Sequence, residues 1–187
     1  LIEKALFEFN MNEVKMEAFN AKIGESDFNA NGQLRDFIPY VLMDKEIYGE
    51  LNLRSNFMNT DELMNLMLED STVSLADTTA QIASENISQN SDSIVPLLPK
   101  NIHFKFKADI NKLKYDAYEL EAFKGDLELE NGILYLRSSS AKILGSDITM
   151  SGKFDESIPA SPLADFDFSI TGMSIKTIGE MSPLVLK

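Results

Sequence analysis

Residues 21–35 read AKIGESDFNANGQLR, and residues 141–155, 120 positions later, read AKILGSDITMSGKFD. The two stretches align without a gap and share six of fifteen residues. Apolar residues upstream recur at the same offset; the pairs are Phe7 with Leu127, Phe9 with Leu129, Val14 with Leu134, and Met16 with Leu136. An internal duplication of alternating segments predicts a repeating β-sheet.

One hairpin of the second copy is marked by its turn. Asn131 and Gly132 separate two alternating segments, and this pair supplies the two positive-φ residues of a type I′ turn. Further alternating segments lie on either side, at residues 104–110, 148–154 and 166–170. Antiparallel strands that follow one another along the chain form a meander.

The first copy predicts the same order of strands. Residues 6–11 and 13–19 predict a hairpin, and further strands are expected near residues 27–34 and 48–55. Gly32 and Gly152 occupy the same phase of the repeated strand. A glycine inside a strand is typical of a bulge, a bend or a close backbone approach, so we expect a curved sheet.

Short helices are predicted beside the strands. Residues 35–43 are apolar with Pro39 near the first turn, and residues 59–68 begin with Asn or Thr caps and acidic residues. A weaker echo at residues 174–181 predicts a third helix. The predicted fold class is therefore mainly β, a curved antiparallel meander sheet built from two related halves, with two or three short helices packed on it.

Composition divides the chain into three parts. Residues 1–68 are predicted to form a first β-repeat with two short helices, and residues 101–187 a second β-repeat. Residues 69–100 are predicted to be an acidic, polar and flexible loop. Within residues 55–99 there is no Lys or Arg, and seven residues are acidic. One continuous sheet running through both repeats is the alternative.

The charge of the chain limits its partners. A net charge of −13 argues against nucleic acid and against electrostatic attachment to anionic lipid, so any lipid contact would have to be apolar. Cysteine is absent, which excludes disulfides, thiolate zinc sites and cysteine nucleophiles. No segment is apolar enough to span a bilayer, and the chain does not begin with Met; we expect it to be a piece of a longer protein, whose remainder could carry an anchor.

Catalytic signals are weak. No nucleophile elbow, phosphate-binding loop or dinucleotide motif occurs, and His103 is predicted to be a surface or edge residue. Asp27 and Asp147 follow turn glycines, where we expect them to accept hydrogen bonds from local backbone N–H groups. Too few oxygens surround Asp147 for calcium. We therefore predict no catalytic residue, no cofactor and no metal site.

The apolar strand faces are the main functional candidate. They are expected either to line a groove for lipid or to form an ordinary core under the two helices. An apolar patch of several hundred Å² left exposed would indicate a lipid or partner site. The ten candidate groove residues are Phe104, Phe106, Leu127, Leu129, Leu134, Leu136, Ile148, Met150, Phe166 and Phe168.

The order of these motifs resembles the C-terminal region of AsmA-family envelope proteins. Residues 102–110, 122–136 and 145–152 carry the resemblance in the second copy. In the first copy, residues 24–37 and 49–64 look like the Bacteroidota version of the same region. The likeness covers roughly residues 7–68 and 95–181 and consists of strand phase and turn glycines.

The resemblance implies a non-enzymatic, periplasmic β-sheet protein anchored in the inner membrane of a Gram-negative cell. Relatives of the TamB type form repeating hydrophobic grooves, so the expected function is phospholipid binding or transfer in outer-membrane biogenesis. The partners implied are phospholipid acyl chains, the membrane through an N-terminal anchor outside this chain, and other envelope proteins. The alternative is a structural or assembly module whose apolar face serves only as core.

Overall fold

Nine strands form one open, curved sheet in a computed structural model that describes residues 1–70, 98–158 and 161–172, with only the backbone described at 67–70. Their order in the sheet is their order in the chain. The strands are β1 (Ile2–Phe9), β2 (Glu13–Ile23), β3 (Ser26–Arg35), β4 (Ile47–Asn59), β5 (Ile102–Tyr115), β6 (Tyr118–Glu130), β7 (Ile133–Ile143), β8 (Ser146–Asp155) and β9 (Leu163–Thr171). Two short helices, α1 (Phe37–Met43) and α2 (Thr60–Asp70), accompany them. In the part of the chain described, neither helix has the length and apolarity to cross a membrane.

The two halves of the sheet meet at a parallel pair, which changes the predicted meander. All neighbouring strands are antiparallel except β4 and β5, which run in the same direction with Ile47 opposite Ile102. A parallel pair needs a crossover, because a hairpin reverses the chain. Of the chain between these two strands, the structure describes α2 and residues 98–101; most of the predicted acidic loop, residues 69–100, lies outside the described residues. The sheet is mixed, and it runs continuously through both halves.

The sequence repeat is also a repeat of backbone irregularities. The pairing of β1 with β2 is interrupted between Leu6 and Phe7, and that of β6 with β7 between Asp126 and Leu127, 120 residues later. The pairings of β2 with β3 and of β7 with β8 carry a second matching interruption. Because bulges bend and twist the strands that carry them, both halves curve in the same way.

Turn and strand glycines behave as their positions predict. Asn131 and Gly132 have φ angles of 55° and 75°, which confirms the type I′ geometry of the β6–β7 hairpin. At Gly32 an added Cβ would lie 2.3 Å from the carbonyl oxygen of Glu50 in the next strand. Gly152 approaches the carbonyl oxygen of Asp165 equally closely. The repeated glycine therefore permits close backbone contact at the same point of both halves.

Carboxylates hold α2 at one end of the sheet. Its first turn is capped by Asn59, whose Oδ1 accepts the Glu62 N–H at 3.3 Å. Glu62 in turn accepts the Glu25 N–H at 3.0 Å, and Asp61 accepts the Asp116 N–H at 2.8 Å. These contacts attach α2 to the β2–β3 and β5–β6 turns. The third helix predicted at residues 174–181 lies outside the described residues.

The best-buried cluster lies where α2 meets β4 and β5. Met58, Ala108 and Ile110 are buried there, with Ile110 only 3% exposed. The partly buried side chains packed around them are Phe28, Leu53, Leu63, Phe106, Leu113 and Phe123. This core occupies only one part of the sheet. Leu63 of α2 packs against it, whereas the sheet extends four strands beyond β5 on one side.

Candidate functional site: an apolar sheet face

The strand register collects apolar side chains on one face of the sheet, called the apolar face below. Three rows of directly paired residues cross all nine strands and define it. In order from β1 to β9, the first row is Phe9, Val14, Leu34, Gly49, Phe104, Leu129, Leu134, Phe154 and Ala164. The second is Phe7, Met16, Gly32, Leu51, Phe106, Leu127, Leu136, Gly152 and Phe166. The third is Ala5, Phe19, Ala30, Leu53, Ala108, Gly125, Ser139, Met150 and Phe168.

All ten candidate groove residues lie on this face. Nine of them belong to the three rows, and Ile148 stands one pair further along β8, opposite Ile170. Phe168 is 60% exposed, Phe166 50% and Met150 38%, while the other seven are partly buried. They form an extended surface across five strands.

The helices leave much of the apolar face uncovered within the described residues. Their main contacts are those of α2 with β5 and of α1 with β4. No residue of α1 is buried, and Leu42 is 73% exposed, so the interpretation of α1 as a cap over a core is wrong. Phe106, by contrast, packs against the cluster under α2. The apolar face is therefore core near β4 and β5 and surface toward β8 and β9.

The first half of the sheet contributes apolar residues that are not among the ten candidates. Phe7 and Phe9 lie on the apolar face of the edge strand β1 and are 46% and 71% exposed. Their ring centroids are 6.0 Å apart. The sequence repeat aligns Phe7 and Phe9 with Leu127 and Leu129, which are candidate groove residues. Because corresponding positions of a repeat lie on the same face, this alignment was a signal that Phe7 and Phe9 are groove residues as well.

The opposite face of the sheet is charged. Glu128 lies 3.3 Å from Lys105 and 2.7 Å from Arg137 across neighbouring strands, and Lys107 lies 3.7 Å from Asp126. The hydrogen bond from Arg137, followed by that from Lys105, holds the pKa of Glu128 below its usual value despite partial burial. Such a face is suited to water. The sheet is thus polar on one side and apolar on the other.

Asp27 is a tertiary acceptor, which corrects its predicted role in the local turn. Its carboxylate accepts the backbone N–H groups of Asn56 and Phe57 on β4, at 2.9 and 2.8 Å. Asp147, at the repeated position, instead contacts the Lys142 ammonium at 2.6 Å. The β2–β3 and β7–β8 turns contain Gly24 and Gly145 at positive φ.

His103 occupies the middle of the sheet, which corrects its prediction as an edge or surface residue. Its side chain is 16% exposed because β5 is paired on both sides. The imidazole stacks on Tyr48 with ring centroids 4.7 Å apart. Its nitrogens lie 3.6 Å from a Glu46 oxygen and 3.8 Å from a Glu130 oxygen. These contacts join three strands.

The described residues contain no cluster of three His, Cys, Asp or Glu side chains that is able to hold a metal ion. The carboxylates with clearly shifted pKa values among them are Asp27, Glu128 and Asp155, and hydrogen bonding lowers the pKa in each case. A general acid needs the opposite shift.

No protein-family model, curated protein or solved structure matches this chain.

Proposed function

We propose that this chain is a non-enzymatic segment of an AsmA-like cell-envelope protein, and that its apolar face binds phospholipid acyl chains during outer-membrane biogenesis. The observation that carries the proposal is the continuity of the apolar face. Three rows of apolar or small residues cross nine strands, and their side chains at both ends are exposed. The AsmA assignment rests on the sequence resemblance.

The dimensions of the apolar face suit an acyl chain. At about 4.8 Å per strand, nine strands span about 38 Å across the sheet, and successive rows are about 7 Å apart. The three rows cover roughly 530 Å², which is near the upper end of the roughly 300–600 Å² of the largest apolar patch on a typical monomer, and patches of that size are often functional. Each methylene transferred from water to such a surface contributes at most about 0.8 kcal/mol. A chain lying across several strands therefore has enough contact to bind.

The polar side of the sheet supports this proposal. Its ion pairs, such as Lys105 with Glu128, keep that face in water, so acyl chains have one face available to them. We place the parent protein at the periplasmic face of the inner membrane, joined to it by an N-terminal anchor and contacting other envelope proteins.

Lipid retention by a charged variant tests the proposal. Phe168→Asp introduces a carboxylate on the apolar face at a 60% exposed position, and Ser169→Asp introduces the same charge on the opposite face of the same strand. Both variants should keep the wild-type melting temperature within a few degrees. Phe168→Asp should retain at least severalfold less phospholipid, measured by mass spectrometry after organic extraction of the purified protein, while Ser169→Asp should match wild type.

Two results would contradict lipid binding. One is recovery of no phospholipid from the wild-type chain or from the longer parent protein. The other is equal retention by Phe168→Asp and Ser169→Asp, both folded, because a lipid on the apolar face must sense the first charge and not the second. Loss of folding by Phe168→Asp alone would show that β9 is covered and that the apolar face is core.

A second candidate function is a structural or assembly module that contacts other envelope proteins. The observation that favours it is β1, whose eight residues are all exposed and whose outer edge is unpaired among the described residues. An open edge can bind a strand of another protein. The two candidates use different parts of the sheet. An assembly module would bind its partner through the edge of β1, so Phe168→Asp would not change the amount of lipid that the protein retains.

A further inference from the structure

The outer edge of β1 is a second exposed feature of the sheet, separate from the apolar face. β1 spans Ile2–Phe9, pairs on one side with β2, and has no strand on its other side among the described residues. It contains no proline. Backbone N–H and C=O groups along such an edge are templates for a further strand, and natural sheets usually cover or blunt them.

The second half of the sheet shows the equivalent edge in its occupied state. β1 corresponds to β6 at an offset of 120 residues, because the two strands pair with their neighbours in the same register. In β1, Leu6 pairs with Ala18 and Phe7 with Met16. In β6, the corresponding pairs are Asp126 with Ser138 and Leu127 with Leu136. The edge of β6 that corresponds to the open edge of β1 is bound by β5, which runs antiparallel to it. The fold therefore contains a template for the strand that β1 would bind.

Charges at this template are repeated on β1. Glu128 of β6 faces Lys105 of β5, with 3.3 Å between the carboxylate and the ammonium, and Lys124 is paired in register with Asp109. The residues of β1 at the corresponding positions are identical: Glu8 matches Glu128, and Lys4 matches Lys124. Apolar positions also correspond, since Phe7 and Phe9 match two leucines that face Phe106 and Phe104.

We propose that the open edge of β1 binds an extended segment with the pattern of β5, running antiparallel to β1. In this register a lysine of the partner lies opposite Glu8, an acidic residue lies opposite Lys4, and aromatic or aliphatic residues lie opposite Phe7 and Phe9. The apolar face continues across the added strand. Main-chain hydrogen bonds supply most of the affinity, and the two charge positions select the register.

A charge exchange tests this register. The probe is a fluorescently labelled peptide with the sequence of residues 102–115, and its matched control carries Lys105→Glu and Asp109→Lys. Wild-type protein should bind the first peptide about tenfold more tightly than the second, measured by fluorescence anisotropy, because both charge pairs become repulsive. The protein variant Lys4→Glu/Glu8→Lys should reverse the preference. Positions 4 and 8 are exposed, but Glu8→Lys places a lysine opposite Lys15 of β2, so the variant should lose a few degrees of melting temperature and remain folded.

Hydrogen exchange locates the bound peptide. The proposal predicts slowed amide exchange in Ile2–Phe9, with no increase of exchange in β5. It is overturned if neither peptide binds, if the protein variant does not reverse the preference, or if protection appears at another strand. The peptide carries no acyl chain and the readout is independent of bound phospholipid, so failure here leaves the lipid proposal standing and the converse also holds.

Discussion

Two apolar residues on the same face of the sheet should contribute very differently to stability. Ile110 is 3% exposed in the cluster under α2, whereas Phe168 is 60% exposed on the edge strand β9. Ile110→Ala removes a buried side chain and leaves a cavity, which should lower the free energy of unfolding by about 2–4 kcal/mol. Full burial of a phenylalanine stabilises by at most about 3 kcal/mol, so Phe168→Ala should cost about 1 kcal/mol.

Urea unfolding followed by circular dichroism measures this difference. With a denaturant slope of about 2 kcal/mol per M, Ile110→Ala should lower the unfolding midpoint by about 1–2 M and Phe168→Ala by about 0.5 M. A shift for Phe168→Ala as large as that for Ile110→Ala would refute the reasoning. It would mean that the apolar face is buried at β9 as well, and that it serves as core along its whole length.

Further predictions concern hydrogen bonding and backbone packing. Partial burial alone would raise the pKa of Asp27, but hydrogen bonds from β4 outweigh it and hold the pKa below its usual value. The ionised form therefore stabilises the fold above the unfolded-state pKa, and this contribution is lost as the pH falls through the lower folded-state pKa. The stability difference between wild type and Asp27→Asn, from urea unfolding, should shrink between about pH 5 and about pH 2; a constant difference would contradict this. Gly152→Ala should destabilise by about 1–3 kcal/mol because its Cβ would lie 2.3 Å from a backbone oxygen, whereas Gly125→Ala, whose nearest neighbour is a side chain at 3.4 Å, should be nearly neutral in the same assay.

Local signals in the sequence were sufficient for the hairpins. Asn131 and Gly132 specify their turn through their own backbone preferences, so the β6–β7 hairpin and its phase are predictable. The same alternation predicts that the candidate residues within each strand share one face of that strand. The cap of α2 was equally local, because Asn59 needs only the N–H groups of the following turn.

Long-range pairing was not predictable in the same way. The parallel contact of β4 with β5 joins segments separated by a crossover, and no residue in either strand encodes that direction. β5 also extends beyond the alternating residues 104–110. The less exposed side chains fall on even-numbered positions up to Ile110 and then on Leu113, so the alternation shifts by one residue between them. At this point Ala122 of the paired strand β6 adopts a φ of 51°. The hydrogen bonds of Asp27 to β4 span about thirty residues, so no turn motif indicates them.

Photocrosslinking with a lipid tests the central claim most directly. A phospholipid with a diazirine at the middle of its acyl chain, incorporated during purification, reacts with the side chains that it contacts. Binding to the apolar face predicts crosslinks at Met150, Phe166 and Phe168, and none at Thr149, Asp167 or Ser169 on the same two strands. Crosslinks distributed equally over both faces, or no crosslinked lipid on the folded protein, would contradict the account.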